Sequence, residues 1–500
     1  MSTDSTYQTS RKAVVIQTDL PEEALTGLAE FFERYYLTPG RRYIDQESYK
    51  KIESNGTIAF SWKLKLHPED LHTLLSSNLK MSKSAVEVSF EDLDKNDQRQ
   101  IALYGRTIDD VQAIVWSYLQ HSKLTSLYFV IGSREENHSE SPNAGGNTQR
   151  SILRRIFSGN MANAFLLFMV ISFFLFFIIG VYTVLVMIAF QSVYLFYSDR
   201  IILNLGNVRP NAERPLVTIV SVRSTEESLK SLRQHGNKIL RELREEVSKT
   251  LEKPDANVIG FSIADNVDRI KSSVLAILSQ HAIVVSKNDI EIKTKDVYHI
   301  VQKIAEKFNR LVPKIVIINS VVSNASATGI STKRSSIMIT AGSLEDLTEE
   351  ELESVIGHEL GHVKGHDPAI LFAVTSLVFI GYLYYPLLYY LGLFYFILAF
   401  GFIFAVGKIL ETRADTESAI TLGKSAEMAS ALRKIGFRQL YREKYIPLAK
   451  LLDWFQFDPH PPMYFRVARM SEFVGARSKT KHTFIISLRD CILGFFRSFY

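Results

Sequence analysis

Two long stretches of this chain, residues 156–198 and 368–407, contain no Asp, Glu, Lys or Arg. A helix needs about 20 residues to cross the hydrocarbon core of a bilayer, so each stretch of about 40 is long enough for two crossings and too long for one. A single long buried core accounts poorly for uncharged runs of this length. In the second run Tyr382, Tyr384, Tyr385, Tyr389 and Tyr390 gather around Pro386, where the tip of a hairpin would meet the far interface. Gly180 lies near the middle of the first run. Arg154, Arg155 and Arg200 flank the first run, and Lys364, Lys408 and Arg413 the second. By the positive-inside rule these flanks face the cytoplasm. The expectation is an integral membrane protein with four spans, arranged as two hairpins at 156–198 and 369–407, with both termini cytoplasmic.

The second run is entered from Ile356 to Pro368, IGHELGHVKGHDP, which contains the HExxH pattern His358-Glu359-Leu360-Gly361-His362. Thr348 and Glu351 have the spacing of a capping box, and Leu352, Val355 and Ile356 give the following helix a buried face. On a helix, residues four apart share a face. His358 and His362 can therefore reach one Zn²⁺, with Glu359 beside them as general base. A bare HExxH is weak support, because two idle histidines on a surface helix read the same way. The third ligand decides. Gly365 fits a metzincin, but Pro368 stands where that pattern needs its third His. His366 lies one turn past His362 and points around the axis, so it is expected to be supporting or exposed. Glu411 and Asp415, just after the second apolar run, are four apart. Glu411 would complete a His₂Glu site with a water position, and Asp415 would orient a ligand imidazole. Arg413 and Glu417 are expected to form a solvated charge run. For ligands on both sides of the run to meet one metal, the run must cross the membrane an even number of times, which places the active site on the cytoplasmic side.

Several ordered blocks resemble the HtpX-like membrane metallopeptidases, a family that also includes the type I CAAX prenyl proteases. They are Tyr197-Ser198-Asp199-Arg200 with Ile201-Ile202-Leu203, the stretch Asn324-Ala325-Ser326-Ala327-Thr328-Gly329, HELGH, the E-x-x-A-D of Glu411 to Asp415, and His460-Pro461-Pro462-Met463-Tyr464-Phe465-Arg466. They cover about residues 190–210 and 296–470. The resemblance implies a substrate-pairing edge strand formed by Ser336, Ile337, Met338, Ile339 and Thr340 after Asn324 and Ala325. It also implies that His460 and Arg466 lie near the site, His460 as a donor to the developing oxyanion and Arg466 steadying Glu411 or Asp415. Pro461 and Pro462 make an ordinary helix start an equally natural reading of that block. The implied activity is zinc-dependent hydrolysis of unfolded or damaged membrane proteins, with one Zn²⁺, polypeptide substrates and a plasma-membrane location. A prenyl-protein protease and a catalytically silent membrane scaffold are the competing readings. Retention of both histidines, both glutamates and Asp415 argues against the scaffold.

The fold class expected is α+β and multidomain: a mainly helical zincin-type catalytic domain with a small edge-strand sheet, two transmembrane hairpins and an N-terminal soluble α/β domain. That first domain, residues 1–132, is read as strands Ala13–Thr18, Thr57–Leu66, Ala85–Phe90 and Ser126–Ile131 with helices Pro21–Tyr36, Pro68–Ser76 and Thr107–Gln120. Residues 1–20 lack the apolar core of a signal peptide. Residues 133–150 have the composition of a flexible linker. The catalytic domain is expected in two parts, 199–368 and 408–480. Glu226–Lys253 and Asn266–Gln280 read as amphipathic helices. Residues 481–500 read as a C-terminal amphipathic helix that either packs on the core or lies in the membrane interface. Cys491 is the only cysteine, which excludes an intrachain disulfide and a Cys-ligated zinc; it is either an ordinary buried residue or an acylation site. The net charge of +5 comes from basic residues dispersed among acidic ones, so no nucleic-acid partner is expected. A domain pressed on an anionic leaflet explains it more simply. The sequence is silent on oligomeric state.

Overall fold

A computed structural model describes residues 12–17, 22–37, 44–65, 74–91, 126–131, 178–223, 263–320, 322–384, 393–473 and 482–499, with isolated gaps, and scattered positions in 97–118, 174–175 and 239–246. The linker 133–150, most of Glu226–Lys253, the first half of the first apolar run, and Tyr385, Pro386, Tyr389 and Tyr390 lie outside the described residues. The chain divides into two compact units, one of residues 1–122 with Phe437–Tyr441, the other of 123–436 with 442–500.

The first unit is an antiparallel sheet in the order β1-β5-β4-β3-β2, built from β1 (Lys12–Gln17), β2 (Ile44–Ser54), β3 (Thr57–Lys65), β4 (Leu74–Met81) and β5 (Ala85–Glu91). Alternation in β3 sends Ile58, Phe60, Trp62 and Leu64 to one face, where helix α1 (Glu22–Phe32) lays Leu25, Leu28, Ala29 and Phe32 on them. Phe32 stands 5.4 Å from Phe60 and 5.7 Å from Trp62, ring to ring. Ile108, Val111, Ile114 and Val115, at helical spacing, join the same core. Two expectations are corrected here. Leu74–Ser76, read as the end of a helix, open strand β4, and Ser126–Ile131 pairs with a strand of the second unit.

The second unit contains two three-stranded sheets. In one, β6 (Ser126–Ile131), β7 (Leu216–Arg223) and β8 (Ile290–Asp296) run antiparallel. Between β6 and β8 lie, among the described residues, α2 (Thr183–Leu205) and α3 (Ile263–Gln280), and α3 buries Ile270, Val274, Ile277 and Leu278 as its amphipathic pattern predicts. After α4 (Val297–Lys307) come β9 (Lys314–Ile318), β10 (Ala325–Ser331) and β11 (Arg334–Thr340). Their order is β10-β11-β9, with β11 antiparallel to β10 and parallel to β9. The expectation that Ser336–Thr340 is the edge is therefore corrected: these residues form the central strand, and the outer strand is Ala325–Ser331, directly after Asn324. Helix α2 docks on this sheet through Ile202 and Leu203 against Val316 and Met338, with Asp199 3.3 Å from Lys314.

The helical part follows: α5 (Ala341–Asp346), α6 (Glu349–Gly365), α7 (Asp367–Tyr384), α8 (Leu393–Leu422), α9 (Ser425–Tyr445), α10 (Ala449–Phe455), α11 (Met463–Ser471) and α12 (Thr483–Arg497). Helix α8 has opposite surfaces at its two ends. In its first half Phe394, Ile397, Leu398 and Phe402 are exposed, whereas in its second half Lys408, Glu411, Thr412, Arg413, Asp415, Thr416, Glu417 and Ser418 are buried. Exposed apolar and buried polar residues on one helix suit a chain that passes from lipid into protein. Helices α7 and α8 pack together, and Tyr395 donates to the Val378 carbonyl at 2.6 Å. Among the described residues one helix, Thr183–Asn204, is long and apolar enough to cross a membrane. A second candidate is the pair Glu349–Gly365 and Asp367–Gly381 if its 51° bend is one broken span. Four spans are thus more than the described helices supply.

Candidate metal centre

The helix that carries HExxH starts as its sequence dictates. Thr348 caps α6 by accepting from the Glu351 amide, and Glu351 accepts from the Thr348 amide at 2.9 Å, which satisfies two end groups reciprocally. The helix ends at His366, whose left-handed φ of 54° precedes Pro368. His366 is exposed and is not a ligand, in line with its spacing.

Glycines at 357 and 361 bring α6 against α8. A Cβ on Gly361 would stand 3.1 Å from both Cα and O of Ala414, and one on Gly357 would stand 2.6 Å from Ser418 Oγ. The glycine inside HELGH is thus explained by close packing of two helices. It lets Glu411 and Asp415, one turn apart on α8, reach the histidines.

His358 Nε2, His362 Nε2 and a Glu411 carboxylate oxygen all lie within 4.8 Å of one another. The two Nε2 atoms are 3.1 Å apart, and each is 3.3 Å from a Glu411 oxygen. The other ring nitrogens face carboxylates: His358 Nδ1 is 2.8 Å from Asp415 Oδ1, and His362 Nδ1 is 2.7 Å from Asp367 Oδ2. The Asp367 carboxylate hydrogen-bonds His362 Nδ1 and so holds Nε2 of that ring inward, whereas His358 Nδ1 is close to Asp415 without a hydrogen bond of acceptable geometry. The two Nε2 atoms and a carboxylate face one point, and Glu411 Oε2 is buried without a hydrogen-bond partner of acceptable geometry. This donor set is suited to hold a cation, and two imidazoles with one carboxylate match catalytic zinc.

The partners of these carboxylates form a second layer. Arg466, in α11, donates to Asp415 through Nε at 2.9 Å and Nη2 at 2.8 Å, a bidentate pair. Its Nη2 is 3.8 Å from Glu411, so of the two roles expected for Arg466 the Asp415 contact is the close one. Arg413 donates to Asp367 at 2.7 Å and to the Gly361 carbonyl at 2.9 Å. Arg413 and Glu417 are both buried, Glu417 against Lys364, so the expectation of a solvated charge run is corrected for both. Asp367 was not singled out from sequence, although an acid just past the helix end and five residues after a ligand is a readable signal. His460 lies at the rim, with Nδ1 2.7 Å from Asp458 and Nε2 3.7 Å from Glu411. Glu359 is buried between the two histidines in sequence, and its charge acts on His362 and Arg466.

The electrostatics follow from this geometry. Burial pushes His358 and His362 down, but the carboxylates outweigh it and both end raised, His362 strongly. Burial pushes Glu411 and Asp415 up, but His460 and His362 hold Glu411 well below the usual carboxylate range, and Arg466 and His358 do the same for Asp415. Glu411 and Asp415 are therefore ionised at neutral pH, and for Glu411 that is the form that binds a metal.

The helix α11 that brings Arg466 is itself fixed by Glu443, which sequence reasoning missed. Its two oxygens accept from the Met463 and Tyr464 amides, each at 2.7 Å, at the start of the helix. Cys491 is buried, 3.1 Å from Thr412 Oγ1, which agrees with an ordinary core residue.

Comparison with known proteins adds the family. Residues 291–474 match peptidase family M48. A protease HtpX homolog of Pediococcus pentosaceus is 41% identical over 93 residues, covering 17% of this chain and 31% of that protein. One from Thermodesulfovibrio yellowstonii is 39% identical over 100 residues, covering 20% and 35%. The chain thus spans about a third of the length of these two relatives. A protease HtpX homolog of Bifidobacterium longum is 29% identical over 247 residues, covering 42% of this chain and 79% of that protein. Among solved structures, the crystal structure of S. mikatae Ste24p aligns over 74% of this chain and 86% of that chain at 12% identity, with a TM-score of 0.27.

Proposed function

We propose, on the premise that residues 291–474 belong to peptidase family M48, that this protein is a membrane-embedded zinc endopeptidase that cuts unfolded or damaged membrane proteins on the cytoplasmic side. The observation that carries the reading is the convergence of His358, His362 and Glu411, with Asp415 and Asp367 behind the two imidazoles.

His358, His362 and Glu411 would hold one Zn²⁺. When bound, the ion supplies Lewis acidity toward a water and toward the scissile carbonyl. Glu359 takes the proton of that water as it attacks and returns it to the leaving amine. His460, at the rim, donates to the negative charge that develops on the carbonyl oxygen. Arg466 acts through Asp415, holding the carboxylate that orients His358.

The substrate would lie along β10. This strand runs beside α6, and its outer edge has no partner strand among the described residues. An extended peptide would add to that edge through main-chain hydrogen bonds, which read no particular sequence. A segment can do so only after leaving its own helix or sheet, hence the unfolded substrates. The apolar half of α8 leads directly into the segment that carries Glu411, which favours substrates that emerge from the bilayer.

Zinc content and casein hydrolysis of detergent-purified protein test the proposal. One zinc per chain is expected in the wild type and in Glu359→Gln, with hydrolysis lost only in the variant. Equal hydrolysis by both would exclude Glu359 as the base, and wild type that binds no zinc would overturn the reading. Glu411→Ala should release the metal; full occupancy there would exclude Glu411 as the third ligand.

A further inference from the structure

Helix α12 is fastened to α8 by a run of buried polar contacts that also sets its direction. Ser487 Oγ is 3.1 Å from Thr416 Oγ1, Cys491 Sγ is 3.1 Å from Thr412 Oγ1, and the same sulfur is 3.7 Å from the Lys408 carbonyl. As α12 advances by four residues, its partner on α8 recedes by four, so the helices are antiparallel. At about 1.5 Å per residue, continuing this register puts Phe495 level with Lys408 and Phe499 level with Phe404. The C-terminal end of α12 therefore stands beside the part of α8 that turns apolar and exposed.

The outward face of α12 has no cover. Ile485, Ile492, Leu493, Phe496 and Phe499 are all exposed, between 46% and 62%. Helix α10 extends the same surface: Leu448, Leu452 and Phe455 are 70%, 57% and 63% exposed, and Phe455 meets Phe495 at 5.5 Å. Leu448 shows its side chain from a left-handed backbone, φ 63°, a conformation that a leucine adopts only at a cost. Phe457 then joins this patch to α8, 5.8 Å from Phe404. The acidic residues of the two helices, Asp453 and Asp490, are both buried and held by Arg442 and Arg469, so no carboxylate of α10 or α12 opposes an anionic surface. Of the basic residues of α12, Arg489 is paired with Asp490, and Arg497 lies in its last turn.

We infer that the exposed face of α10 and α12 is seated in the headgroup and upper acyl region of the bilayer in which the proposed reading embeds the apolar half of α8. The occupant is lipid, because the patch continues the exposed apolar surface of α8 at the level where that helix leaves the membrane. A helix with a polar face fixed to protein and aromatic and aliphatic residues on the other lies in the interface in this way. Since α12 is bolted to the segment of α8 that carries Glu411 and Asp415, the contact fixes the height of the metal centre above the bilayer. The inference rests on the reading of α8 as membrane-embedded.

Nitroxide labels on single cysteines test it, using the full chain in nanodiscs of phosphatidylcholine and phosphatidylglycerol in a Cys491→Ala background. Labels go at Phe496 and Ile485 on α12, at Leu452 on α10, at Phe402 on α8 and at Glu350 on α6. Collision with oxygen over a water-soluble nickel complex should dominate at Phe496, Leu452 and Phe402, with the ratio falling toward Ile485 and reversing at Glu350. Nickel-dominated collision at Phe496 and Leu452, with oxygen still dominant at Phe402, would overturn the interfacial seat and leave the membrane reading standing. Low collision with both reagents at Phe496 would mean that protein covers the patch, which also overturns the inference. Nickel dominance at Phe402 would remove the membrane reading itself. Using three sites on two helices keeps the test decisive if one variant fails to fold.

Discussion

Asp415→Asn separates two functions that the structure gives one carboxylate. Asp415 receives two hydrogen bonds from Arg466, at 2.9 and 2.8 Å, and lies 2.8 Å from His358 Nδ1. An Asn of the same shape removes the charge from both. Toward the metal, loss of a carboxylate behind a ligand imidazole costs about 10–100-fold in affinity, or roughly 1.4–2.7 kcal/mol. Toward the fold, Arg466 is 6% exposed and would be left with Glu411 at 3.8 Å as its nearest charge. Breaking one side of a buried ion pair costs about 3–5 kcal/mol. Freed from Asp415, Arg466 would also draw on Glu411, a ligand, which pushes the affinity loss to the upper part of that range. The assays are zinc dissociation constants by competition with a chromophoric chelator, and thermal unfolding of the metal-free protein. The double variant Asp415→Asn, Arg466→Met removes the stranded cation, so it should recover most of the lost stability and little of the lost affinity. If the double variant regains full zinc affinity, Asp415 serves only as the counter-ion of Arg466, and its orienting role toward His358 is refuted.

Asp367→Asn should weaken zinc about 10-fold through His362, a smaller loss because Arg413 keeps its bond to the Gly361 carbonyl; an unchanged dissociation constant would refute it. Gly361→Val should abolish zinc binding and lower the unfolding temperature, since its side chain must push α8 away at Ala414, an overpacking cost of about 1–3 kcal/mol; retained zinc in the folded variant would show that the glycine is not required for the approach. Glu443 is raised by burial to about 7 from 4.5, partly offset by the two amides it caps. A folded pKa above the unfolded one gives stability that is full below about 4.5 and declines as pH rises through about 7. Glu443→Gln should therefore flatten that decline in unfolding temperature, and the same slope in the variant would assign it to another group.

How much of this was legible depends on whether the signal was local. The HExxH helix and its capping box rest on contacts within a few residues, and the sequence places them, whereas the end of the helix at His366 was not read from it. Glu411 and Asp415 were found by their spacing and by the demand for a third ligand, although the two glycines that bring their helix close were not recognised as a packing face. Strand order is not local. Nothing in Ser336–Thr340 says that β9 pairs on its far side, so the edge was assigned to the wrong strand. Strand β4, LLSSNLKM, puts Ser77 among its buried residues, and β2, IDQESYKKIES, is almost wholly polar, so neither shows the alternation that marks a strand. Arg413 and Glu417 were misread for a related reason: a buried ion pair and a solvated charge have the same letters, and only the partners, Asp367 and Lys364, tell them apart.

Helix α8 must satisfy two surroundings, and the residues at the change of surroundings also build the rim of the site. Gly407 is the last residue of the charge-free run, and a Cβ there would lie 2.9 Å from Pro459 Cβ. Lys408 follows, and its ammonium donates to the Gln456 carbonyl at 2.9 Å and the Asp458 carbonyl at 2.6 Å. Together they tie the segment 456–460 to α8 one turn before Glu411, with His460 left 3.7 Å from that carboxylate. A lysine at this point serves both needs, because its stem can run along apolar surface while its charge meets carbonyls at the boundary. The consequence is that His460 and Glu411 cannot shift independently of the level at which α8 leaves its apolar half. The contacts that close the rim are thus the same ones that fix Glu411 relative to the apolar half of its helix.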